Sequence, residues 1–461
     1  MSGTPSSSDR GPGERGALRS LVAPIYLPTV LESAGESALL PVLPFLALGL
    51  GFSVPGAAAL TLILGVAAVL GPIPVGRLMD AVGARRAIVG SGIALAVCDV
   101  AAMLVVRDGL DGGAGTAHRA LLVAALVVVA ATSQVWALGR QSYLGTRLPP
   151  ALRARGMTAF GGMLRVGQVL GPLAGAAVLA LGHEAWVFGL FAVLTAAATT
   201  LVAVSMVPGE GSAGAAAHAV ARAESAAAPG AAPEHDAAVP PPARVRADPG
   251  PREVLRTMLR VALGVGPLIM GRINRPVIVP LLGASLGVDA GTISVIFGVC
   301  AVLEVVMFVP AGLVMERRGR AAAAVPCSLA LGIGYLALAA AASAVGAGSP
   351  TAAVAALAVP SLLIAVGNGL GSGIVMTLGI DLSPERGRTR YLSWWNTLAG
   401  TGRLAAPLLV AAITLVAPIG AAGAASGVLC LLGAAWLARA MPRLGLGRPG
   451  TGRGAGPYAV P

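Results

Sequence analysis

Long apolar runs, broken at intervals by short clusters of Gly, Pro and Arg, recur along nearly the whole chain. At about 1.5 Å per helical residue each is long enough to cross a hydrocarbon core of roughly 30 Å. The pattern predicts helices near residues 21–46, 56–79, 87–106, 119–144, 157–181 and 185–207, and again near 257–283, 290–315, 321–343, 351–378, 391–416 and 418–440. Between the two sets the pattern lapses. From Pro208 to Arg252 the text is rich in Ala, Pro and Gly with scattered charge, the composition of a flexible connection. The expected organisation is an all-α membrane protein with an N-tail (1–20), a six-helix bundle (21–207), a linker (208–252), a second six-helix bundle (253–440) and a C-tail (441–461).

Charged positions inside these runs are the next signal. The first run holds TVLESAGESALLPVLP, Thr29 to Pro44, with two glutamates. A carboxylate at membrane depth costs about 2.5 to 3.5 kcal/mol on insertion scales, so Glu32 and Glu36 need a partner or a task. Four residues apart, they look the same way from a helix. Glu304 and Asp99 are the other embedded acids, and Arg140, Arg165, Arg272, Arg275 and Arg403 are the embedded bases. Two readings follow: a protonatable carboxyl pair, or acids permanently neutralised by arginines. Five arginines against four acids leave no clear excess from which to argue for an anionic substrate. Tyr26, Trp136, Tyr143, Phe160, Trp394 and Trp395 offer aromatic surface, for a cavity or for the membrane interface.

Composition narrows the class. With 56% hydrophobic and 11% charged residues the chain lies far from a soluble domain. Its net charge of +12 is carried by arginine alone, with no lysine. Those arginines gather in the N-tail, after alternate spans and in the linker and C-tail, whereas the opposite side has only Arg107 and Arg119. That asymmetry predicts an even number of spans with both ends cytoplasmic, and it removes the nucleic-acid reading. Cys98, Cys300, Cys327 and Cys430 lie in separate apolar runs without a CxxC pair, and the four histidines fall in polar connections. No metal site or nucleophilic constellation is expected, and the absence of GxxxxGK[ST] argues against ATP. Met1 to Ser20 lacks a short apolar core with a cleavage site and is expected to be a cytoplasmic tail before a retained span.

The two halves also resemble each other. GRLMDAVGARR, Gly76 to Arg86, aligns with GLVMERRGRAA, Gly312 to Ala322, at an offset of 236, pairing Asp80 with Glu316 and Gly83 with Gly319. Pro149 to Pro172 aligns with Pro384 to Pro407 at 235, pairing Gly167 with Gly402. Two stretches agreeing on one offset predict a parallel repeat of a six-helix unit, the plan of a rocking transporter.

Gly76, Leu78, Asp80, Gly83, Arg85 and Arg86 match GxLxDxxGxR[RK] in the expected loop between the second and third helices, with a degenerate echo at Gly312, Glu316 and Gly319. In this the chain resembles the major facilitator superfamily over nearly its whole length. The glycines suit a tight turn, Asp80 can cap a neighbouring helix, and the arginines anchor at the inner face. GQVLGPLAG in the fifth span, with Gly167, Gly171, Pro172 and Gly175, resembles the signature of the family's proton-coupled exporters. Gly171-Pro172 is expected to kink that helix. Gly139-Arg140-Gln141 matches the family's fourth-span arginine motif only loosely, which weakens transfer of a proton-relay role to Arg140.

The resemblance implies twelve helices, alternating access, a central cavity lined by the first helix and proton-coupled antiport of a small organic or drug-like molecule. Import by symport is the alternative, and a transport-inactive sensor or membrane-embedded enzyme is the alternative from another class. The expected proton and substrate site comprises Glu32, Glu36, Arg140, Arg165, Arg272, Arg275, Glu304 and Arg403. Expected partners are substrate, protons and lipid, for a monomer without cofactor, metal, ATP or nucleic acid.

Overall fold

The computed structural model describes residues 19–148, 150–207, 250–345, 349–384, 388–444 and 446. Most of the N-tail, the linker and the C-tail therefore lie outside the described residues. Ten helices are long and apolar enough to span a bilayer, and twelve spans result when two bent pairs are each taken as one.

The first half begins with a π-turn, Val22–Tyr26, that runs into Leu27–Leu39 and, past a 41° bend, Leu43–Gly49. The bend falls at Pro41, which cannot donate to Ser37, and Pro44 removes the donor for Leu40. The second span is Val54–Leu70 followed by Pro72–Val82 at 58°. Here Pro72 and Pro74, two residues apart, each remove a backbone donor just past the break. The third to sixth spans are Ala84–Gly112, Thr116–Arg147, Pro150–Leu179 and Trp186–Ser205. In the second half the spans are Pro251–Ser285, Ala290–Arg318, Ala321–Ala344, the interrupted Pro350–Leu370 and Ile374–Asp381, Arg388–Thr414 and Ile419–Arg443.

Two expectations change. The signature stretch is not a loop: Gly76 to Val82 is helical, and Gly83 alone turns the chain into the third span. Its φ of +84° lets one residue do this, and at the matching place in the second half Gly319, at +87°, turns the chain with Arg320 beside it. The fifth span is one continuous helix with Pro172 inside it. Finally, the seventh helix begins at Pro251, inside the stretch expected to be linker, and the twelfth continues to Arg443, into the expected C-tail. These turns carry charge, so apolar length alone underestimates them.

Each half is a six-helix bundle, and the pairing of helices repeats: the fifth span packs on the first as the eleventh packs on the seventh. Between halves, the fifth span meets the eighth and the second meets the eleventh. At the end bearing Gly49, Leu179 and Ser285, one apolar cluster runs through both halves, joining Leu43, Leu46 and Leu50 to Val277, Leu281 and Ile293. At the other end the core is divided. Leu21, Ile25, Tyr143 and Leu148 form one cluster in the first half, and Val254, Met258, Leu378 and Met441 form another in the second. The halves are thus sealed at one end and parted at the end where the described chain starts and finishes.

Candidate functional site

The first and fifth spans approach so closely that side chains are excluded between them. A methyl group at Gly167 would lie 2.6 Å from Ser33 Cβ and 2.7 Å from Val30 O, and one at Gly171 would overlap Ala34 O and sit 2.9 Å from Ser37 Cβ. Gly175 continues the stripe against Ala38, and the Ser33 hydroxyl donates to Leu164 O at 3.0 Å. These glycines therefore brace the turn of helix that carries both glutamates. Gly171→Ala is expected to lower thermal stability by about 1 to 3 kcal/mol, the usual cost of overpacking. Gly162→Ala, where a methyl group meets open space, is the control. Equal melting temperatures for the two variants would remove the bracing role.

The two glutamates have different surroundings. Glu32 is buried and its Oε2 accepts from Arg140 Nη2 at 2.8 Å. Arg140, only 2% exposed, also donates through Nε to Trp136 O at 3.0 Å. Its guanidinium lies 5.3 Å from the Trp136 ring centre and 5.7 Å from that of Phe160. These aromatics enclose a buried ion pair and do not sit at the membrane interface. Tyr143 and Trp395 are likewise packed inside the bundles. Glu36 is half-buried, and among the described residues no arginine comes within ion-pairing distance of it.

In the second half, Glu304 gathers several of the remaining charges. Arg275 Nη1 donates to its Oε1 in a short ion pair, with Phe297 4.7 Å from the guanidinium. Asn368 Nδ2 donates to Oε2 at 2.8 Å, and Arg165 Nη1 reaches the same oxygen at 3.7 Å across the boundary between halves. Arg165 also donates to Ser372 Oγ at 3.4 Å. Arg272 is held without an acid: its Nε donates to Asn368 Oδ1, Nη2 to Asn368 O at 3.3 Å and Nη1 to Gly371 O at 3.3 Å. These carbonyls are available because the tenth span is interrupted at Gly371 to Gly373, where Gly373 has φ +79°. Asn368 and Ser372 are the residues that sequence reasoning missed. An amide beside a glycine cluster in an otherwise apolar span was their signal.

Not every candidate joins this cluster. Arg403 is exposed, and its side chain makes no ion pair among the described residues. Its backbone carbonyl lies against Gly65 of the second span. Asp80, Arg86 and Glu316 are exposed near the parted end, while Arg85 donates to Ala203 O. Asp99 is wholly buried in the third span, and neither of its carboxyl oxygens has a hydrogen-bond partner among the described residues. A separate apolar cavity of about 740 Å³, lined by Leu62, Val66, Leu70, Pro74, Val127 and Val135, contains no ionisable side chain and belongs to the first half alone. Among the described residues no group of His, Cys, Asp and Glu is placed to hold a metal.

At the sealed end, Glu184 and Asp289 come from different halves and line one cavity of about 480 Å³. Burial raises the Glu184 carboxyl above its ordinary range, with His183 opposing and Asp289 reinforcing the shift. Asp289 caps the eighth span, accepting from Thr292 N at 2.9 Å and Thr292 Oγ1 at 2.7 Å.

A family model described as Major Facilitator Superfamily matches residues 25–271 and 261–457, once for each half. The chain belongs to the major facilitator superfamily. Among solved structures, a peptide transporter POT in complex with sulfate is similar at 14% identity, covering 94% of this chain and 95% of that one with a TM-score of 0.69. A D-xylose-proton symporter is similar at 14% identity, with 92% and 97% covered and a TM-score of 0.62. An inward open xylose transporter, XylE from E. coli, has 13% identity, coverage of 92% and 96%, and a TM-score of 0.63. At these identities the likeness is one of fold. No protein of curated function matches the chain. As a superfamily member this multi-pass membrane protein is a secondary transporter.

Proposed function

We propose that this transporter exports a small organic molecule in exchange for protons, acting as a monomer in the cell membrane with both termini and the linker in the cytoplasm. The observation that carries the reading is Glu36. It is half-buried, forms no ion pair among the described residues and lies one helical turn from Glu32, whose charge is already engaged by Arg140. A carboxyl so placed can bind and release a proton during the cycle, whereas Glu32 is committed to its pair. The glycine stripe at Gly167, Gly171 and Gly175, which resembles that of proton-coupled exporters, supports the direction. The crowding of arginine on one side of the predicted spans supports the orientation. Under this orientation the parted end faces the cytoplasm, and Asp80, Arg86 and Glu316 stand where an inner gate would close.

Fold likeness to a D-xylose-proton symporter favours a second reading, import together with protons. Flux in proteoliposomes separates the two. With the site's cytoplasmic end facing outward and an acidic lumen, antiport predicts uptake of solutes from a pool of small organic molecules, lost on adding a protonophore. Accumulation only when the lumen is alkaline would establish the symport reading. Uptake indifferent to the gradient would overturn proton coupling altogether.

A further inference from the structure

Three guanidiniums gather beside the tenth span with a single carboxylate among them, and only two of the three contact it. Glu304 is bonded by Arg275, approached by Arg165 at 3.7 Å and further bonded by Asn368. Arg272 touches only the amide and backbone carbonyls there, and no acid lies within 4 Å of it among the described residues. The cluster therefore carries two positive charges more than it neutralises. The sum over all embedded charges masks this local surplus, because Glu32 is taken by Arg140 and Asp99 contacts none of these groups.

A surplus of this kind at membrane depth is costly unless an anion offsets it. Neither Arg165 nor Arg272 is enclosed as Arg140 is: Arg165 keeps 30% of its side chain exposed, and Arg272 is half-buried. Both sit beside the same helical turn, since Arg165 donates to Ser372 while Arg272 donates to Asn368 and Gly371. They also come from different halves, Arg165 from the fifth span and Arg272 from the seventh.

We infer that Arg165 and Arg272, with Ser372 between them, bind an anionic group of the transported molecule, a carboxylate or a sulfate- or phosphate-like group. An anion there makes charge-assisted hydrogen bonds to both halves at once. It favours whichever state of the cycle brings the two guanidiniums together, so occupancy biases the alternation. The inference rests on the reading of this cluster as part of the substrate site, but its test measures binding and not flux, so the two can fail separately.

The test uses the purified full-length protein in detergent, with thermal unfolding followed at constant ionic strength in chloride. Sulfate and succinate are the probes, and succinamide is the neutral control. Sulfate, succinate or both should raise the melting temperature of wild type, while succinamide should not. Succinate acting alone assigns a carboxylate site, and sulfate acting alone assigns a tetrahedral-anion site. Arg272→Gln should weaken the apparent affinity roughly ten- to a hundredfold, the range expected for losing a charge-assisted contact. Arg272→Lys should restore part of it, which a merely structural arginine would not predict. Where Arg272→Gln does not fold, Arg165→Gln carries the same comparison from the other half. Equal shifts in wild type and both glutamine variants would mean an adventitious ion only, and would overturn the assignment. So would stabilisation by succinamide equal to that by succinate, or no shift with either anion.

Discussion

Glu36→Gln is expected to abolish gradient-driven transport while leaving a folded protein that still binds substrate. Glutamine keeps the volume and hydrogen bonding of the neutral acid but cannot release a proton. Because Glu36 has no ion-pair partner among the described residues, the change strands no opposite charge. Its cost in stability should stay within about 1 kcal/mol, the usual scale for a substitution that leaves nothing unpaired. Proton-driven flux should fall to the level of empty liposomes, and substrate binding should lose its dependence on pH. Binding that titrates as in wild type, in a variant that melts as wild type does, would exclude Glu36 as the proton carrier.

Glu32→Gln should behave in the opposite way, although it lies on the same helix face. Removing this carboxylate leaves Arg140, at 2% exposure, without its ion-pair partner and with Nη1 already lacking a hydrogen-bond partner among the described residues. Breaking such a pair from one side costs about 3 to 5 kcal/mol. The variant should be recovered in low yield and should melt well below wild type. Removing both charges in Glu32→Gln/Arg140→Gln should recover much of the loss, because the penalty comes from the stranded cation. A single variant as stable as wild type would show that the pair contributes nothing to folding. The two substitutions, one turn apart, thus separate coupling from architecture.

Much of this was legible in the chain. Apolar length marks the spans, and the shared offset between the signature stretch and its echo announces two like halves. The positive-φ glycines at 83 and 319 give that offset a physical meaning, since each turns the chain at the same point of its half. Legibility ended where contacts join residues distant in sequence. Glu32 and Glu36 look alike in the text, and only the fourth span, 108 residues away, distinguishes them by supplying Arg140. Counting charges over the whole membrane region likewise concealed the local surplus at Arg165 and Arg272. Helix breaks were partly visible as Pro41, Pro72 and the Gly371 to Gly373 cluster. Apolar length, however, cannot tell a break from a continuous helix, as the unbroken passage through Pro172 shows.

The glycine stripe has a mechanical consequence. Where the first and fifth spans meet backbone to backbone, few side chains between them can change rotamer, so little of an applied displacement is absorbed there. The pair acts as a stiff beam, and compliance lies elsewhere: at the bends beside Pro41 and Gly71 and at the interrupted tenth span. Arg165 stands on that beam six residues before Gly171, where Gly171 rests against the turn carrying Glu36, so the acid and the arginine share a single lever arm.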